Sequence, residues 1–142
     1  MTGTQPVTEL KAMPVDQTIK LCNESTSTVF AMIESKDAIE AVNSIAAVEG
    51  VDVLLVGSSD LTIDLGVAGQ FRSDTYRSAV EQVSKACRKH GKIFAVAGVY
   101  DQPDVHDYLV NTLGARFMLV TQDASLIASG GPKAIQALPA VK

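Results

Sequence analysis

Two acidic residues carry the strongest chemical signal in this chain. Glu34 closes an apolar run at 29–34, and Asp60 follows a second one at 51–56, separated from it by Gly57, Ser58 and Ser59. If these runs are neighbouring parallel strands, about 4.8 Å apart, both carboxylates reach the same rim. Two hard oxygen ligands on adjacent strand ends form a minimal site for Mg2+ or Mn2+, with water and substrate oxygens in the remaining positions. The spacing leaves a plainer reading open, in which both are solvated or helix-capping carboxylates, because acidic residues are common ahead of helix N-termini.

The other candidates are weaker. Arg72 lies in a long loop on the same rim and could meet a carboxylate, although solvated arginine is the common case. Tyr100 and Asp101 follow a third strand on that rim. His90 sits beside Gly91 at a predicted helix C-terminus, where an imidazole complements the helix dipole, and His106 reads as a surface histidine. Cys22 and Cys87 lie in helical segments with no CxxC or Cys/His spacing, so both are expected to be reduced, partly buried thiols. No residue is singled out as a catalytic acid or base.

The elements that must position these groups repeat as strand then helix. Strands are expected at 29–34, 51–56, 92–97 and 116–121, each followed by a stretch of helical period. The first helix spans 36–48 with Ala38, Ile39, Val42, Ile45 and Ala46 on its apolar face. A turn-rich stretch over 61–73 leads into a helix over 74–90, with Tyr76, Val80, Val83 and Cys87 or Ala86 as its buried stripe and Gly91 as its cap. A third helix covers 103–113, starting at Pro103. A last one covers 124–129, N-capped by Asp123 and broken by Gly130, Gly131 and Pro132. The expected organisation is a leader and docked helix over 1–27, the helix itself at 15–23, a βα domain over 28–130 and a tail over 131–142.

Composition narrows the function classes. The 142 residues are 46% hydrophobic and 20% charged, enough to bury one core but about half of what a complete eight-unit barrel needs. Net charge is −4 and the basic residues are scattered, which argues against a nucleic-acid partner. No apolar run approaches the roughly 18 residues that span a bilayer, so no membrane role is expected and the protein is read as cytoplasmic.

Taken in order, MIES at 32–35, AAVEGVDV at 46–53, GSSDL at 57–61, the Gly66 and Gly69 pair, CRKHG at 87–91, and LGARF at 113–117 with Asp123 resemble the second half of the HpcH/HpaI aldolase and citrate-lyase-like family. The match covers roughly residues 28 to 130. The resemblance implies an α/β fold of four consecutive βα units, half of a TIM-type barrel, preceded by one N-terminal helix. It implies a divalent-metal-dependent carbon–carbon lyase, of aldolase or decarboxylase type, acting on a small 2-oxo acid such as pyruvate through a metal-stabilised enolate. By position, the family's metal ligands fall on Glu34 and Asp60, and the backbone at Gly57, Ser58 and Ser59 faces the substrate carboxylate. The chain departs from the family in having Ser58 and Ser59 where a Pro is more usual, and Met32 where a Gln is common. The family's catalytic His and substrate-binding Arg belong to the first half of the barrel, which this sequence does not match.

Three expectations follow. The chain works as an enzyme once a second copy or a complementing half-barrel completes it, or it is a catalytically degenerate binding or regulatory protein, or it is a truncated aldolase needing a partner chain. Pairing would bury the sheet edges that four parallel strands leave exposed.

Overall fold

The computed structural model describes residues 14–139, with side chains for all of these except 25 and 26. The expected leader ahead of residue 14 and the last three residues of the tail lie outside the described residues. Four consecutive large apolar residues, with no polar alternation, begin β2 (Val53–Gly57), and the strand is buried along its whole length, as a strand covered on both faces should be. β1 (Phe30–Ile33) and β3 (Ile93–Ala97) flank it, and β4 (Phe117–Met118) lies beyond β3, giving a parallel sheet in the order β1-β2-β3-β4. The α/β class and the consecutive strand order are those expected from the sequence.

The register sorts the side chains into two faces. Ala31, Ile33, Leu54, Val56, Phe94, Val96 and Met118 join one core with the helices. The largest of these is α5 (Asp74–His90), started by Ser73, whose Oγ accepts from the Tyr76 N–H at 3.3 Å, and ended by Gly91 in the left-handed conformation at φ 67°. Its stripe of Tyr76, Ala79, Val80, Val83, Ala86 and Cys87 is buried as the helical period predicts. Each fully buried Val or Leu in this layer contributes roughly 1.5–3 kcal/mol.

On the opposite face Val53, Leu55 and Ala95 form a second, smaller cluster. Around it Phe30, Ile93 and Phe117 remain partly open, and Met32 is 53% exposed. Phe30 and Phe117, on strands at opposite edges of the sheet, meet edge-on with ring centroids 5.2 Å apart. In a flat sheet those strands lie about 14 Å apart, so the contact draws the edges toward each other across this face.

Several local expectations are corrected. The helix over 36–48 is two short ones, α2 (Lys36–Glu40) and α3 (Val42–Ala46), joined at Ala41 with φ −88° and ψ 1°. Alanine is the best helix former, so nothing in the sequence marks this bend. The turn-rich stretch contains α4 (Ser58–Asp64), which begins directly at the end of β2. α6 (Pro103–Asp107) continues as a π-helical turn over Tyr108–Thr112. The fourth strand is shorter than 116–121, although Arg116 N to Phe94 O and Leu119 N to Val96 O extend its pairing on either side.

The last helix, α7 (Asp123–Gln136), runs through Gly130, Gly131 and Pro132 instead of stopping there. A residue before proline avoids helical angles partly because its Cβ meets the proline ring, and Gly131 has no Cβ. Its N-cap is Gln122, with Asp123 as the first helical residue. The N-terminal helix, α1 (Val15–Leu21), continues into a π-helical turn over Cys22–Thr26. It buries none of its residues, so the expected docking is not seen. Cys22 is exposed and Cys87 buried, rather than both partly so. Among the described residues no helix is long and apolar enough to cross a membrane.

Candidate active site

The C-terminal ends of the strands gather on one rim, where β1 hands over to Glu34, β2 runs straight into α4, and β3 hands over to Gly98. An open cavity of about 210 Å³ lies between them, lined by Met32, Gly57, Ser58, Ser59, Asp60, Ala97, Gly98 and Tyr100. Glu34 lies across Gly57: a Cβ at residue 57 would sit 3.0 Å from Glu34 Oε2 and 3.2 Å from Glu34 Cβ. Any larger residue there would push the carboxylate away. Asp60 occupies the first turn of α4, on the wall of the same cavity. Both carboxylates belong to exposed residues, and neither has a hydrogen-bond or ion-pair partner among the described residues.

Ser58 and Ser59 diverge. The Ser58 side chain turns inward, completely buried, and its Oγ shares a hydrogen bond with Tyr76 Oη at 2.8 Å. Burial pushes the Tyr76 phenol up to about 12, partly offset by this bond to Ser58. Ser59 Oγ donates to the Gly98 carbonyl at 3.3 Å. Gly98 has φ +83°, and a Cβ there would lie 2.8 Å from Ser59 Oγ, 3.0 Å from Ser59 N and 3.5 Å from Ser58 N. Glycine therefore keeps clear the space beside the two backbone nitrogens. Thr62 ties α4 to the following loop, donating to Ser59 O at 2.9 Å and accepting from Gly69 N at 3.0 Å.

The expected metal ligands and the Gly57–Ser59 backbone thus lie on one rim. As a metal site the donor set is minimal, since among the described residues no group of three or more His, Cys, Asp or Glu side chains could hold an ion. Two hard carboxylates with open positions around them fit Mg2+ or Mn2+, which keep several water or substrate oxygens in their shell. Tyr100 lines the cavity, and Asp101 beside it has φ +53°.

The remaining candidates are engaged elsewhere. Arg72 grips Asp104 through Nε at 2.7 Å and Nη2 at 2.6 Å, with Nη1 on Gln102 Oε1 at 2.6 Å. The carboxylate it meets is the protein's own, and its guanidinium holds the Asp104 carboxyl below its ordinary range. His90 ends α5 beside Gly91, as expected. His106 is half-buried rather than on the surface, with Nε2 3.0 Å from the Val99 carbonyl. Sequence reasoning missed Gly98 as part of the cavity and Tyr76 as the partner of Ser58. A glycine at a strand end was a usable signal for the first; periodicity had marked Tyr76 only as core.

In a parallel βα sheet the loops at the C-terminal ends of the strands carry the functional groups, and Glu34 and Asp60 lie at that rim. A model of the family described as HpcH/HpaI aldolase/citrate lyase matches residues 5–128, and the chain belongs to that family. It is 44% identical over 142 residues to the 4-hydroxy-4-methyl-2-oxoglutarate aldolase tasA of Hapsidospora irregularis, covering 100% of this chain and 53% of that protein. It is 44% identical over 128 residues, 90% of this chain and 48% of the relative, to the 4-hydroxy-4-methyl-2-oxoglutarate aldolase cghB of Chaetomium globosum. The crystal structure of an HpcH/HpaI aldolase from Desulfitobacterium hafniense DCB-2 superposes with a TM-score of 0.75 at 27% identity, over 100% of this chain and 55% of that one. The chain spans about half the length of the curated relatives it matches.

Proposed function

We propose that this chain supplies half of a TIM-type barrel whose C-terminal rim holds a divalent metal on Glu34 and Asp60, and that the completed protein is a carbon–carbon lyase for a small 2-oxo acid. The observation that carries this reading is the placement of Glu34 over Gly57 and of Asp60 on the same cavity, two unpaired carboxylates at adjacent strand ends. The open face around Met32, Phe30 and Phe117 supports a complementing half, from a second copy or another polypeptide segment, that covers it.

The names of the relatives suggest a 4-hydroxy-2-oxo acid as substrate. In such a molecule the bond between C3 and C4 lies β to the C2 carbonyl. Loss of the proton from the 4-hydroxyl as that bond breaks leaves a new carbonyl at C4 and sends the electron pair toward the C2 oxygen. For 4-hydroxy-4-methyl-2-oxoglutarate the products, after protonation at C3, are two pyruvates. When bound, a divalent cation supplies Lewis-acid stabilisation of the charge that gathers on the oxo-acid oxygens. Glu34 and Asp60 hold that cation and add their own negative charge to its surroundings. The backbone nitrogens of Ser58 and Ser59, in the space Gly98 keeps open, orient the substrate carboxylate. Ser58 contributes only its backbone, because its hydroxyl is committed to Tyr76. The family's catalytic His belongs to the first half of the barrel, so the proton-accepting role is assigned to the complementing half.

Met32 favours a second reading, a binding protein without turnover: a thioether stands in the cavity wall where an amide could bond to an oxo acid. The experiment is a pyruvate-release assay on 4-hydroxy-4-methyl-2-oxoglutarate and on oxaloacetate with added Mn2+, comparing wild type with Glu34→Gln and Asp60→Asn. Release that both substitutions abolish supports the lyase. Ligand binding without release supports the second reading, and release unchanged by both substitutions overturns the site.

A further inference from the structure

At the opposite end of the sheet, where β3 and β4 begin, lies a second concavity of about 420 Å³. Arg88, Lys92 and Arg116 line it together with Ser84, Asn111 and Thr112, and no carboxylate is among its lining residues. In a chain of net charge −4, three cations around one hollow without an acidic side chain run against the overall balance. None of the three is ion-paired; the acidic partners found among the described residues serve Lys20, Arg72 and Lys85.

Each cation is held by a neutral acceptor. Arg88 Nη2 donates to Ser84 Oγ at 2.7 Å, and that buried hydroxyl donates in turn to the Leu113 carbonyl at 2.7 Å. Arg116 Nη1 donates to the Ala115 carbonyl at 3.0 Å. Lys92 Nζ donates to Val51 O at 2.7 Å and to Val48 O at 3.2 Å. Neutral acceptors fix the positions of the groups and leave their charge uncompensated. A guanidinium has five N–H donors, so Arg88 and Arg116 keep most of theirs for something else. Asn111 gives its amide N–H to Asp107 Oδ1 at 2.6 Å, so it is not counted among the available donors.

We propose that this hollow binds a multiply charged oxyanion of metabolite size, through charge-assisted bonds from Arg88 and Arg116 with Lys92 adding charge. It lies at the N-terminal ends of the strands, away from the rim that carries Glu34 and Asp60, and shares no lining residue with the cavity there, so an occupant does not compete with the substrate and acts as an effector or a stabilising ligand. The proposal does not depend on the lyase reading.

The test is thermal unfolding and NMR titration of the purified chain with pyrophosphate and with citrate, against sodium chloride at matched ionic strength. The variants are Arg88→Gln, Arg116→Gln and, as a charge control outside the hollow, Lys85→Gln. Wild type and Lys85→Gln are expected to give a saturable response in the millimolar range or below. Each arginine variant should bind about tenfold more weakly. A preference for pyrophosphate assigns a phosphorylated ligand, and a preference for citrate a polycarboxylate. The proposal is overturned by a wild-type response no larger than that to chloride, or by equal weakening in Lys85→Gln; the cations then only complement the C-terminal ends of nearby helices. Should one arginine variant fail to fold, the wild-type titration and the other variant still decide.

Discussion

Removing the Tyr76 hydroxyl by Tyr76→Phe leaves the ring in its pocket against Phe71, whose centroid lies 5.5 Å away, and strips Ser58 Oγ of its partner. Ser58 is fully buried, so water cannot replace the lost bond. An unsatisfied buried hydroxyl costs about 1–3 kcal/mol, which for a domain of this size lowers Tm by roughly 3–10 °C. Ser58→Ala in the same background removes the orphaned group and should recover most of the loss, giving a clear coupling energy in a double-mutant cycle. The same pair predicts a pH effect. With the Tyr76 pKa raised from 10.0 to about 12, the unfolded chain releases this proton first as pH rises. The stability associated with the protonated phenol is complete below pH 10 and is lost between about 10 and 12, by about 2–3 kcal/mol. Tyr76→Phe lacks that component. The assay is urea unfolding followed by circular dichroism for wild type, both single variants and the double variant, from neutral to alkaline pH. A Tyr76→Phe protein as stable as wild type, with the same alkaline profile, would refute the claim that this bond anchors the start of α4.

Two further outcomes are expected. Gly98→Ala places a methyl group against Ser59 N and Ser59 Oγ at a φ of +83° and should cost about 1–3 kcal/mol in chemical unfolding. It should also weaken oxo-acid binding more than Gly66→Ala, which shares the positive φ but meets nothing within 4 Å. Phe117→Asp, on the open sheet face, should abolish association with a second copy or complementing segment in sedimentation velocity while leaving the α5 side of the core folded. Unchanged association would remove that face from the assembly.

Much of the framework was legible because it rests on local pattern. The end of β1 could be read to within one residue, since the apolar run stops at Glu34 and the strand at Ile33, and α5 could be read over its full length from its stripe and from Gly91. What was not legible depends on contacts distant in sequence. α4 combines Ser58, Ser59, Asp60 and Asp64, poor helix formers; it is held by Tyr76, 18 residues away, and by the Thr62 link to Gly69. The turn to Gly98 aligns with Ser59 only because β2 and β3 are neighbours. Gly130, Gly131 and Pro132 read as a stop, since the relief a missing Cβ gives to a pre-proline residue is easily outweighed in a propensity argument. The candidate metal ligands Glu34 and Asp60 stood out as types and spacing, whereas the closeness of Glu34 to Gly57 needed the folded backbone.

The most direct test of the central claim is Mn2+ binding followed by water-proton relaxation for wild type, Glu34→Gln, Asp60→Asn and the double variant, with and without pyruvate. Glu34 and Asp60 are predicted to act together, so each single substitution should remove most of the specific binding, and pyruvate should alter the relaxation enhancement only in wild type. Equal, weak Mn2+ binding by all four proteins, insensitive to pyruvate, would contradict the account.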